Sequence, residues 1–171
     1  LAVALVVAGG IGGAIQAALM GRWGERAGTL EAFALATLLT ALIGAEPGSV
    51  ALSVNTGAGI NLAAWGLPLG PGDVVVIPDL EFPANVYPWM AASRARGFTL
   101  HVVPARDGLL DEEGLLAAIH ARSVRVLALS WVGFATGFVA DLERIGAACR
   151  ARGVWFVVDA MQGVGALPLD V

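Results

Sequence analysis

From residue 74 onward, short and mostly apolar runs recur at Val74–Ile77, Thr99–Val103, Val124–Ser130 and Val154–Val158, separated by segments of helical length. A strand with one wet face alternates polar and apolar residues, whereas a near-continuous β-branched run such as Val74–Ile77 is covered on both faces. Such runs alternating with helices predict a parallel sheet sandwiched between helical layers. The expected fold is α/β: three layers, α/β/α, with a mostly parallel central sheet.

The helices have their own signals. One is expected from about Ala84 to Arg96, closed by Gly97. Asp111 suits an N-cap, with Glu112 and Glu113 favourable in the first turn near the positive helix end. Another spans Asp141–Arg152 and puts Leu142, Ile145 and Cys149 on one face. Upstream, Val50–Val54 predicts a strand leading into a Gly-interrupted helix from about Gly57 to Gly66. Pro68, Gly70, Pro71 and Gly72 punctuate a loop. Leu30, Phe33, Ala34, Thr37, Leu38, Ala41 and Leu42 fall at helical spacing, with Gly44 at the end.

Ten basic residues, all Arg, stand against fourteen acidic ones, for a net charge of −4. Without clustered positive charge a nucleic-acid groove is not expected. An apolar share of 57% with 14% charged residues excludes disorder. Cys149 is the only cysteine, so an internal disulfide framework or cysteine-based zinc cluster is ruled out. His101 and His120 are far apart in sequence and outside any ligand-spaced cluster, so no metal site is expected.

Residues 1–20 carry no charge and are about long enough to cross a bilayer. No basic stretch precedes them, which a signal peptide needs. A segment buried inside a larger protein or at an interface fits the same composition, and it is the preferred reading because the remainder reads as soluble. The opening on Leu1 and the stop at Val171 suggest a piece of a longer protein. The expected division is an N-terminal helical segment, 1–45, and part of a larger α/β domain, 46–171.

In an open α/β sheet ligands bind at the carboxyl ends of the strands. The polar candidates there are Asn55–Ala58, Asp79–Phe82, Ser130–Trp131 and Asp159–Gln162. Thr56, Gly57 and Ala58 open a helix, where free amides and the helix dipole can seat a phosphate; plain helix capping uses the same residues. Asp159 ends the apolar strand WFVVD. It can cap the next turn, or act as counter-ion to a protonated ring nitrogen, since a buried carboxylate is costly without a partner. Phe82 can pack in the core or stack on a flat ligand. Cys149 reads as a small buried hydrophobe, and neither histidine receives a catalytic role.

Four blocks in order resemble the large domain of class V aminotransferases. This pyridoxal-phosphate group includes cysteine desulfurases and isopenicillin N epimerase-like enzymes. The blocks are VNTGAGINLAAWGLPLGPGD (54–73), DLEFPANVYPW (79–89), SWVGFATG (130–137) and VVDAMQGVGALPLDV (157–171). The last is the most specific, and the second points to the epimerase-like side.

The resemblance implies a fold type I enzyme acting on an amino acid by transamination, epimerisation or desulfuration. It implies pyridoxal 5′-phosphate as cofactor, a homodimer and a cytoplasmic location. By position, Thr56 with the backbone of Gly57 and Ala58 would hold the cofactor phosphate. Phe82 would stack on the pyridine ring, Asp159 would pair with the ring nitrogen and Gln162 with the ring 3-oxygen. Trp131 stands where relatives usually have histidine, and Phe134 where desulfurases place asparagine. The family holds its cofactor as a Schiff base on a lysine about two dozen residues beyond the Asp–Gln pair. This chain contains no lysine, so no catalytic residue is assigned within it and the lysine is expected from a longer reading frame. Two other readings are a degenerate, non-catalytic or membrane-attached homologue, and a nicotinamide-dinucleotide oxidoreductase. The latter rests on AGGIGGAIQ (8–16), which lacks the G-x-G-x-x-G spacing.

Overall fold

The computed structural model describes residues 5–7, 38, 43–45, 49, 51 and 53–169. Among the described residues five strands form one sheet: β1 (Leu5–Val7), β2 (Val74–Pro78), β3 (Thr99–Val103), β4 (Val124–Ser130) and β5 (Trp155–Asp159). All pairings are parallel, in the order β1-β5-β4-β2-β3. Four helices among the described residues cover it: α1 (Thr56–Gly66), α2 (Tyr87–Arg96), α3 (Glu112–Ala118) and α4 (Leu142–Arg152).

Because side chains alternate across a strand, each buried strand feeds two cores. Val75, Ile77, Val126, Ala128 and Val157 meet Ile60, Ala64, Trp89 and Ala92 of α1 and α2 on one face. Val76, Leu127, Leu129, Phe156 and Val158 meet Leu115 of α3 and Ile145 and Cys149 of α4 on the other. The three-layer α/β/α arrangement follows directly from β-branched runs buried on both sides.

The caps sit where the sequence places them. Asp111 accepts from the Gly114 amide at 3.1 Å, and Asp141 from the Arg144 amide at 3.0 Å. Gly97 and Gly153 close α2 and α4 at φ 81° and 65°, a left-handed conformation that only glycine adopts cheaply. Arg96 supplies a cap of another kind. Its guanidinium donates to the carbonyls of Ala64 and Trp65 at the end of α1, and to that of Leu69 at 2.7 Å. Terminal helix carbonyls otherwise lack partners, so Arg96→Ala is expected to lower stability by about 1–2 kcal/mol. Urea unfolding of the two proteins checks this.

Two expectations are corrected. Val50–Val54 forms no strand among its described residues; Ala51, Ser53 and Val54 are exposed and irregular. Exposed side chains gain nothing from pairing, and the β5 edge is taken by β1. Conversely, Leu5–Val7 lies within the segment expected to be helical but is a strand. Its β-branched and aliphatic residues suit a parallel edge. The predicted helix around Leu30–Leu42 (Leu38 apart) and the 8–16 glycine run lie outside the described residues. Among the described residues no helix is long and apolar enough to cross a membrane.

Candidate functional site

Moving from β2 to β3 and then back across to β4, the chain reverses its direction along the sheet between β2 and β4. The carboxyl ends of strands flanking such a switch point open a crevice, which is where ligands of doubly wound folds bind. Ser130 ends β4 and Asp159 ends β5, and the two are register partners. By alternation both share the face of Val126, Ala128 and Val157, the side covered by α1 and α2.

Asp159 is 3% exposed. One carboxylate oxygen accepts from the Met161 amide at 3.0 Å, tying down the turn that follows. The other has no hydrogen-bonded or cationic partner among the described residues. Burial raises the carboxyl above its ordinary value, and the Met161 N–H only partly opposes this. The turn-capping and counter-ion readings therefore share one side chain, a separate oxygen for each.

Phe82 follows β2 on the other side of the crevice. It is 42% exposed, and its ring meets Phe134 edge-on at 5.2 Å between centroids. Phe134 is exposed as well, so this aromatic pair lies at the surface and not in either core. α1 begins at Thr56, with Asn55 as its N-cap. The Ala58 amide donates to Asn55 Oδ1 at 2.8 Å and is therefore engaged by the cap. The Thr56 and Gly57 amides have no acceptor among the described residues, and they and the Thr56 hydroxyl remain available at the helix's positive end. Gln162 is exposed in the turn after β5.

Two residues of the crevice went unassigned in the sequence. Glu81 is partly buried; it accepts from the Ser130 amide at 2.7 Å, the Ser130 hydroxyl at 2.5 Å and the Asn85 side-chain amide at 3.0 Å. Burial raises its carboxyl, hydrogen bonds from Ser130 and Asn85 pull the other way, and the nearby Asp159 charge adds to the rise. Leu80, just before it, has φ 63°. Strain of about 1–3 kcal/mol at a bulky residue in this region tends to collect at functional sites. A glutamate wedged between Leu80 and Phe82 just past a strand end was the available signal, since those neighbours are unsuited to a solvated surface.

Trp131 is turned away from the crevice. It belongs to the opposite core, with Leu129 and Ala160. Cys149 is fully buried, and burial pushes its thiol up to about 12, in keeping with an inert packing residue.

An α/β sheet with a buried, cation-less carboxylate at its carboxyl edge and an exposed aromatic across the switch point has the architecture of fold type I pyridoxal-phosphate enzymes. The solved structures it resembles include the apo cysteine desulfurase of Thermococcus onnurineus (26% identity, TM-score 0.75, covering 81% of this chain and 35% of that one). Another is a variant of the lyase C-DES with glycine covalently linked to its PLP cofactor (26% identity, TM-score 0.71, 92% and 45% covered). Residues 34–171 match the model of the aminotransferase class-V family, and the chain belongs to that family. A probable cysteine desulfurase of Methanothermobacter thermautotrophicus is 32% identical over 129 residues, covering 75% of this chain and 32% of the relative. A cysteine desulfurase of Serratia proteamaculans is 36% identical over 121 residues, covering 68% and 30%. The chain thus spans about a third of the length of these curated relatives.

Proposed function

We propose that this chain forms the cofactor-binding wall of a cytoplasmic, homodimeric pyridoxal-phosphate enzyme acting on an amino acid. Carbon–sulfur bond cleavage of the cysteine-desulfurase kind is favoured over transamination or epimerisation by the names of its relatives. The observation that carries the proposal is Asp159: a carboxylate almost wholly out of water, with one oxygen unmatched by any positive charge among the described residues. A protonated pyridine nitrogen supplies the missing cation and the missing hydrogen bond together.

The other residues fit the same ligand. The Thr56 hydroxyl and the first amides of α1 would take the phosphate, with Ala58 contributing only if Asn55 releases its N–H. Phe82 would cover one ring face, and Gln162 would reach the 3-oxygen from the turn behind Asp159. Bound there, the cofactor supplies an electron sink for charge developing at the substrate α-carbon. Asp159 keeps that sink strong by holding the ring-nitrogen proton. Ser130 and Glu81 hold the floor between β2 and β4. The chain offers no lysine for covalent attachment.

Pyridoxamine 5′-phosphate bears an amine in place of the aldehyde and requires no lysine, so it is the suitable probe. Titration followed by tryptophan fluorescence and equilibrium dialysis is expected to show one saturable site per chain. A cooperatively folded protein that takes up none of this ligand, or that binds NADH in preference, would overturn the proposal.

A further inference from the structure

The backbone of Phe82 is held by its own turn, its carbonyl accepting from the Asn85 amide at 2.8 Å, but its ring has no polar anchor. Its side chain makes no hydrogen bond, nearly half of it faces water, and its one aromatic neighbour, Phe134, is itself exposed. The loop that carries it leaves β2 through a left-handed Leu80, a conformation that relaxes unless something holds it. Asp79 pins the start of the loop, its amide donating to the Val103 carbonyl of β3 and its Oδ1 accepting from the Leu80 amide, both at 2.8 Å; the side chain that reaches across to β4 is that of Glu81, through its carboxylate. One oxygen takes the Ser130 amide at the last residue of β4, and the other takes the Ser130 hydroxyl and the Asn85 amide. Asn85, fully buried, closes the single 3-10 turn Pro83–Asn85 on the far side of Phe82. Phe82 is therefore flanked by two residues joined through one carboxylate, and that carboxylate spans the strands on either side of the switch point.

We infer that Glu81 is a positioning residue: by clamping the β2–α2 loop to Ser130 and Asn85, it fixes the Phe82 ring over the cofactor crevice. It acts through Phe82 and touches no reacting atom. The inference rests on the proposal that Phe82 stacks on a pyridine ring.

The substitutions separate anchoring from charge. Glu81→Ala leaves the Ser130 amide, the Ser130 hydroxyl and the Asn85 amide without an acceptor. Glu81→Gln keeps an acceptor for the Ser130 amide, and its own N–H groups can donate to the Ser130 hydroxyl. They can also donate to Asn85 Oδ1, which lacks any partner, once that amide turns over. Dissociation constants for pyridoxamine 5′-phosphate are measured for the unaltered protein, Glu81→Ala, Glu81→Gln, Phe82→Ala and the Glu81→Ala/Phe82→Ala pair. Circular dichroism of the bound ring's absorption band is recorded alongside.

Glu81→Ala and Phe82→Ala are each expected to weaken binding about tenfold, the scale of one lost aromatic stacking contact. The pair should be no weaker than either alone, because both remove the same contact. The induced dichroism should vanish in Glu81→Ala and persist in Glu81→Gln. If Glu81→Ala binds with unchanged affinity and dichroism, or if its loss multiplies with that of Phe82→Ala, the positioning role is wrong while the cofactor site stands. If the unaltered protein binds none of the probe, the site falls and this role with it. Should Glu81→Ala fail to fold, Ser130→Ala, which removes one of the three clamp donors, decides the matter. It must reduce affinity several-fold and weaken the dichroism, and an unchanged signal overturns the inference.

Discussion

Asp159→Asn should weaken pyridoxamine 5′-phosphate binding about 100-fold, since removing one member of a desolvated charge pair costs about 2–5 kcal/mol. The same substitution should make the ligand-free protein more stable at neutral pH, by about 1 kcal/mol. Both follow from one fact: a carboxylate 3% exposed whose second oxygen faces no cation among the described residues. Asparagine keeps an acceptor for the Met161 amide, so the turn survives, but it neither pays the desolvation penalty nor attracts a ring N–H⁺. The pH dependence has a definite sign. Burial raises the Asp159 carboxyl above its unfolded value, so within that window the folded state binds more protons than the unfolded one. Stability of the ligand-free protein therefore falls as pH rises through the window, and the deficit persists above it. Glu81, also raised, acts in the same direction. Urea midpoints at a series of pH values should show the Asp159→Asn curve running above the unaltered one at neutral pH and meeting it on the acid side. Saturating pyridoxamine 5′-phosphate should shrink or reverse the gap, because a cationic ring favours the ionised carboxylate. A lower midpoint for ligand-free Asp159→Asn at neutral pH would show that Asp159 is chiefly a structural cap.

The parts legible in the sequence are those set by local chemistry. Val74–Ile77, Val124–Ser130 and Val154–Val158 read as strands because apolar runs need cover on both faces, and the observed strands there receive it. Asp111, Asp141 and Gly97 read as helix boundaries because capping depends on a residue and its immediate neighbours. Val50–Val54 misled because a strand is defined by its partner, and nothing local reveals that Leu5–Val7 takes the edge of β5. The Glu81–Ser130 clamp joins residues 49 apart in sequence, a distance over which spacing carries no information. Asp159 was half legible: its position was evident from the strand it ends, whereas the division of labour between its two oxygens required coordinates.

Gly163→Ala is expected to destabilise the protein by about 3 kcal/mol, the upper end of what overpacking a core costs. A Cβ built on Gly163 would lie 2.1 Å from Cε3 of Trp131, 2.7 Å from Cζ3 and 2.8 Å from Cδ2. Those atoms belong to a rigid ring that is 6% exposed, so the neighbour cannot swing aside. The backbone at Gly163 is not left-handed, so the effect is one of space and not of conformation; Gly165, at φ 87° with nothing within 4 Å, is the opposite case. Gly165→Ala should therefore cost only about 1 kcal/mol. The two closest atoms, Cε3 and Cζ3, lie only in the six-membered ring, which histidine lacks. Trp131→His on its own leaves a void and should cost about 3 kcal/mol. Combined with Gly163→Ala it should cost little more than either change alone, because the new methyl occupies part of the space the indole vacates. The missing side chain at Gly163 is what leaves room for the indole of Trp131. The turn closed by the Gly163 amide on the Ala160 carbonyl also holds Asp159 through the Met161 amide, so Gly163→Ala should lose ligand affinity along with stability. Urea unfolding of the two single variants and the pair measures the coupling, and strictly additive losses would mean that Trp131 shifts to relieve the contact.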